Sequence, residues 1–171
     1  MSIQRLRSVA AALAAAFCAV VPAPAMGGVV PLSPLERSFL YAINHTRVEH
    51  GVNRVVINDT LVAAARAHSS DMVRRHYFAH RVFWRRLEQF GLTSGRVGED
   101  LGWDSHLEIA VPELIRMWLR SQPHRAVLLN PNYQDVGVGV RIGPFAGYRK
   151  AIVVTADFLG PLQNGDDEGN R

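Results

Sequence analysis

Ser121 and His124 stand three residues apart, a hydroxyl about one helical turn from an imidazole that could take its proton, and so come nearest in this chain to a nucleophile with its base. No third group that would orient the imidazole can be named beside them, and no oxyanion-binding segment, so the pair reads as two polar neighbours. His76 and His80 are four apart, a spacing that would put two imidazoles on one face of a helix as metal ligands, but Tyr77-Phe78 between them reads as the end of that helix. His68 falls on the apolar stripe of its own helix, the position of a buried, hydrogen-bonded core histidine or of a ligand turned inward. The run Gly137 to Gly143 lacks the spacing of a dinucleotide loop, and the chain has no glycine-lysine phosphate loop. Arg74, Arg75, Arg81, Arg85 and Arg86 form a local basic cluster that could meet phosphate or anionic lipid. Without interleaved exposed aromatics it reads as a solvated arginine-rich face, and no nucleic-acid partner is expected.

The elements that must position these groups are legible from periodicity and punctuation. Ser33-Pro34-Leu35-Glu36 has the spacing of a capping box with proline at the first helical position, and Leu35, Phe39, Leu40 and Ile43 follow helical spacing towards Gly51. Arg54 to Ile57 reads as a short extended piece before Asn58-Asp59, the cap of a second helix whose buried stripe is Leu61, Ala64, Ala65, His68 and Met72. A shorter helix is expected from Val82 to Phe90, stopped by Gly91. Ser105 to Glu108 repeats the capping-box spacing and predicts a helix running to about Ser121, with Pro112 beginning its main part or kinking it. Pro123 breaks or restarts the helix, and His124 to Asn130 reads as a further turn or two. Val136, Val138 and Val140 alternate with Gly137 and Gly139, and Ala151 to Phe158 is rich in branched residues, so two strands are expected across Gly143-Pro144 and Gly147. Helices first and strands later is an α+β order.

At the start of the chain, Arg5 and Arg7 precede the uncharged stretch Val9 to Val21, which ends in Ala23-Pro24-Ala25, the layout of an export signal cleaved after Ala25. The apolar stretch falls short of the ~20 residues of a spanning helix, and no stop-transfer segment follows, so a mature chain without a transmembrane segment is expected. Residues 1–25 are thus read as a signal peptide, 26–33 as a linker, 34–160 as one domain and 161–171 as a disordered acidic tail. Cys18, the single cysteine, lies in the segment to be removed, which leaves no thiol for a disulfide or a thiolate metal site. The formal net charge of +4 includes Arg5 and Arg7, so the mature value is +2, weak grounds for any anionic partner. A secreted monomer, periplasmic or extracellular, is the expectation.

Six blocks carry a family pattern in order: Ala42-Ile43-Asn44 with Arg47, Leu61 to Asp71, Tyr77-Phe78-Ala79-His80, Gly98-Glu99-Asp100-Leu101, Trp118 to Arg125, and Val136-Gly137-Val138-Gly139. Together they resemble the bacterial branch of the CAP superfamily, the cysteine-rich secretory, antigen 5 and pathogenesis-related proteins, over roughly Pro34 to Gly160. The resemblance implies a three-layer α-β-α sandwich with a central, mainly antiparallel sheet, including a strand between Gly95 and Trp103 where the sequence signal is poor. It also implies a cleft carrying two histidines and two acids, matched here by His68, Glu99 and His124. Two imidazoles and a carboxylate would suit a divalent metal such as zinc. The second acid of the eukaryotic members falls on Ser121, which carries no charge. Asp100 replaces the usual asparagine and could add a carboxylate to the cleft or cap a turn. His80 is treated by the resemblance as part of a structural corner.

Three functions are compatible with these residues. The first is a secreted module binding a lipid or cell-envelope component in the cleft around His68, Glu99 and His124. The second is a secreted metal-dependent hydrolase, in which zinc-bound water would supply the nucleophile. The third is an envelope protein with a vestigial cleft.

Overall fold

The computed structural model describes residues 31–162. The export segment, most of the linker and nearly all of the acidic tail read from the sequence lie outside the described residues. Helix α1 (Pro34–Glu49) begins as its cap spacing requires: the Glu36 N–H donates to Ser33 Oγ at 3.3 Å and the Ser33 N–H to Glu36 Oε2 at 2.7 Å. Glu36 is buried rather than facing solvent, and Arg66 of the second helix holds both its oxygens, Nε at 2.7 Å and Nη2 at 2.6 Å. Burial alone would raise its pKa; the bonds from Arg66 and Ser33 outweigh that and hold it below the usual value. Asn44 pins the chain leaving α1 by exchanging two hydrogen bonds with the Val55 backbone, at 2.9 and 2.8 Å. Arg47, fully buried, donates to the carbonyls of Asn53, Leu128, Asn130 and Tyr133 at 2.7 to 3.2 Å.

Strand β1 (Val56–Ile57) leads to Asn58, whose side chain caps helix α2 (Asp59–Arg75) by accepting from the Leu61 N–H at 3.2 Å. The predicted stripe Leu61, Ala64, Ala65, His68 and Met72 is buried in full. Helix α2 ends at His76 in the left-handed conformation, φ 52°, and α3 follows at Phe83–Gln89. Strand β2 (Arg96–Asp104) occupies the stretch of weak sequence signal. The helix expected after Ser105 starts later, as α4 (Ala110–Arg120), and the turn before it is organised by Asp104, whose side chain accepts from the His106 N–H at 2.7 Å. This start also puts Pro112 in the first turn, where its missing N–H leaves no bond unmade. Pro123 likewise opens a new helix, α5 (Gln122–Leu128).

Strands β3 (Asp135–Phe145) and β4 (Tyr148–Gly160) complete a sheet of order β1-β3-β4-β2, in which β1 runs parallel to β3 and the other pairs are antiparallel. The alternation of β3 divides the two layers of helices. Val136 and Val138 face a core shared with α1, α4 and α5, including Phe39, Ile43, Leu114 and Trp118. Gly137 and Gly139 face α2, whose backbone lies directly on them: a Cβ at Gly137 would come 2.1 Å from the Leu61 carbonyl carbon, and one at Gly139 2.1 Å from the Arg66 nitrogen. The Val-Gly pattern therefore marks a strand with a layer on each face. The result is the α-β-α sandwich expected from the resemblance.

Candidate functional site

Glu99 lies on the edge strand β2, directly opposite Asp157 of β4, on the sheet face covered by α2. Its carboxylate is buried and held from two elements that the sequence places well before it. Oε1 meets His80 Nδ1 at 2.7 Å, and Oε2 receives the guanidinium of Arg86, which also donates to Asp157 Oδ1 at 3.0 Å. His68, projecting from α2, brings Nε2 to 3.7 Å from Glu99 Oε2, and its Nδ1 lies 3.5 Å from the Tyr77 hydroxyl. Tyr77 in turn donates to Asp71 at 2.8 Å.

The electrostatics of this group divide its imidazoles. Burial, reinforced by the positive charge of Arg86, lowers the His68 pKa to about 4, so its ring is neutral near pH 7. His80, half exposed, shifts the other way, because its hydrogen bond to Glu99 favours the protonated ring. Burial raises Asp157 well above the usual carboxylate range, against the opposing charge of Arg86. Among the described residues, His68 Nε2, Arg86 Nε and Asp157 Oδ2 are buried without a hydrogen-bond partner.

The residues singled out in the sequence are thus only partly brought together. His68 and Glu99 meet. His124, on α5, has its pKa lowered first by burial and second by the charge of His80, and its Nδ1 is buried without a hydrogen-bond partner among the described residues. Ser121 occupies the N-cap of α5 without a side-chain cap bond, and no hydrogen bond joins it to His124 among the described residues. Asp100, next to Glu99 on a strand, points to the opposite face of the sheet, where its charge acts on Tyr133 of the large core. It neither adds a carboxylate to the group around Glu99 nor caps a turn, since neither oxygen is hydrogen-bonded. His80 and Arg86 are the residues that sequence reasoning missed. The block Tyr77-Phe78-Ala79-His80 was the available signal for the first; the second was absorbed into the arginine-rich face.

A zinc ion does not fit this donor set. The carboxylate that would ligate it already carries a guanidinium on one oxygen and an imidazole nitrogen on the other, and a guanidinium supplies charge but no lone pair. The described residues contain no group of three or more His, Cys, Asp or Glu side chains arranged to hold a metal ion.

The sequence model of the cysteine-rich secretory protein family, CAP, matches residues 40–158. This chain belongs to the CAP family. Its relatives include YkwD, an uncharacterized protein of Bacillus subtilis (strain 168), 29% identical over 113 residues that cover 63% of this chain and 43% of YkwD. An extracellular protein of Bacillus anthracis str. Ames containing an SCP domain superposes with a TM-score of 0.59 at 24% identity, over 77% of this chain and 45% of that one. An outer surface protein of Borrelia burgdorferi superposes with a TM-score of 0.59 at 18% identity, over 72% of this chain and 91% of that one. The CAP chain described here spans less than half the length of YkwD and of the Bacillus anthracis protein. None of its described helices is long and apolar enough to cross a membrane.

Proposed function

We propose that this CAP domain is an exported binding module that takes a lipid or cell-envelope component beside His80, Glu99 and His124. The observation that carries this reading is the state of Glu99. With Oε1 engaged by His80 and Oε2 by Arg86, about half of the carboxylate's lone-pair sites are spent on side chains of the protein itself, which favours a role in organising the site over that of a general base. His80, half exposed, and His124, whose buried Nδ1 has no hydrogen-bond partner among the described residues, are the polar groups this reading gives to the ligand. Likeness to extracellular and outer-surface proteins supports export, as does the N-terminal signal layout.

The test is organic extraction and mass spectrometry of protein recovered from the medium and the periplasm of an expressing bacterium. A lipid or envelope component should accompany the native protein and fall about fivefold or more in His124→Ala, whose missing hydrogen bond is worth about 1 kcal/mol. Zinc that survives dialysis and disappears in Glu99→Gln, or turnover of an envelope substrate, would establish the hydrolase instead. Equal ligand content in the native and variant proteins would move binding away from this site.

A further inference from the structure

Four of the five arginines read from the sequence as a solvated face, Arg74, Arg75, Arg81 and Arg85, are exposed, and together with the partly buried Arg86 they line one depression. The C-terminal half of α2, the connection after it and α3 enclose about 690 Å³, and the lining includes Arg74, Arg75, Arg81, Arg85 and Arg86. The single acidic lining residue, Asp71, is already taken: Arg74 Nη2 lies at 2.5 Å, Arg75 Nη1 at 3.7 Å, and Tyr77 donates to it at 2.8 Å. The lining therefore carries a formal excess of four positive charges. Aromatic rings do interleave with the arginines in space: the Arg81 guanidinium sits 3.9 Å from the Tyr77 ring centroid and that of Arg86 5.2 Å from Phe83. Two of the lining residues carry a buried nitrogen without a hydrogen-bond partner among the described residues, Arg86 Nε and His68 Nε2, although the Arg86 guanidinium also holds Glu99 and Asp157 and His68 Nε2 lies 3.7 Å from Glu99.

We propose that this cavity binds a phosphate ester carrying at least two negative charges, through Arg74, Arg75, Arg81 and Arg85 at the wall and Arg86 at the base. Guanidinium groups converging from two helices and their connection match a tetrahedral dianion, whose several oxygens accept bonds from different directions; a carboxylate offers one charge in one plane. The volume lies within the range of about 300–1,000 Å³ typical of small-molecule sites, so the ligand is larger than bare phosphate, on the scale of a phosphorylated sugar or a lipid headgroup. Val82 and Phe90, both exposed at the wall, would meet its apolar part. The lining includes neither His80, Glu99 nor His124, and it meets the Glu99 group only through Arg86 and His68, so a variant at Arg85 tests this site without touching the contacts of Glu99.

Two probes test it on the full secreted protein at pH 8: pyrophosphate by calorimetry, and sedimentation with phosphatidylcholine vesicles with and without phosphatidic acid, whose headgroup is a phosphate monoester able to carry two charges. Arg85→Glu should weaken binding by about tenfold or more, and Arg85→Gln by less, with both variants retaining the native circular dichroism. Arg149→Glu, the same charge change on exposed β4, should leave binding within about twofold. Retention on phosphatidic acid vesicles that is lost in Arg85→Glu but kept in Arg149→Glu assigns a lipid headgroup as the source. Pyrophosphate binding with the same variant pattern but no vesicle retention assigns a soluble phosphate ester. Absence of binding to either probe overturns the proposal, and so does equal weakening by Arg85→Glu and Arg149→Glu, which would mark a nonspecific charge effect.

Discussion

Asp100 is fully buried with neither oxygen hydrogen-bonded, and burial, aided by the neighbouring Glu99 charge, pushes its pKa from 3.8 to about 8. Between about pH 4 and pH 8 the folded protein therefore keeps a proton that the unfolded chain releases, and stability falls as pH rises through that window. Asp100→Asn, neutral and nearly the same shape, should flatten this slope and raise stability at pH 8 by on the order of 1–3 kcal/mol, measured by urea denaturation at pH 5 and pH 8. The same slope in both proteins would disprove the buried proton. His68 acts in the opposite direction. Its folded pKa of about 4 lies below the ordinary 6.5, so its contribution is full above pH 6.5 and is lost as pH falls towards 4. Imidazole NMR should find His68 the last ring to protonate on acidification and His80 the first of the pair, since Glu99 stabilises the His80 cation. At this scale the sequence was informative in part. Motif matching singled out Glu99 and His68, whose side chains lie 3.7 Å apart, but contacts that bridge distant segments, His80 to Glu99 and Arg86 to Asp157, leave no periodic trace in the chain. His80 lies in an irregular connection, where neither helical nor strand spacing reveals what a side chain faces.

At the scale of elements, the close seat of α2 on β3 makes Gly139 a position for hydrogen only. Gly139→Ala would drive its Cβ into the Arg66 backbone, so a loss of at least about 3 kcal/mol or failure to fold is expected. Gly143→Ala, where the obstacle is the Val73 side chain, should cost about 1–2 kcal/mol by thermal denaturation. Similar effects at the two positions would contradict the packing described. Arg47 joins α1 to the turn between α5 and β3 through four backbone carbonyls. Arg47→Lys should destabilise by about 3 kcal/mol or more despite keeping its charge, because an ammonium cannot reproduce the planar fork and several buried carbonyls would be stranded. The helices and the last two strands were readable because each has an apolar stripe or a Val-Gly alternation. Strand β2 was not, since its central residues Glu99 and Asp100 are buried acids and Gly98 and Gly102 bring their neighbours close instead of filling space. Gly98 abuts Tyr133 and Gly102 abuts Leu114. The start of α4 falls five residues after Ser105, and Asp104 rather than a Ser105 cap organises the turn between them, a choice that the capping-box spacing alone does not reveal.

Across the whole molecule, apolar clusters occupy both faces of one sheet, with Trp118 buried on one side and Trp84 packed beside Leu61 and Leu87 on the other. Because both clusters use the same strands, they should unfold together: variants retaining only Trp118 or only Trp84 should report fluorescence midpoints that coincide with far-UV circular dichroism. Separate midpoints would mean that the two helical layers are distinct cooperative units. The strand order carries a further consequence for how the chain is made. Both strands from its earlier portion find their neighbours in its final third, β1 on β3 and β2 on β4. A polypeptide emerging from the ribosome amino end first can thus coil its early helices, but β2 and β3 have no common neighbour until Tyr148–Gly160 has been synthesised. Until then it remains open enough to be threaded through a narrow pore.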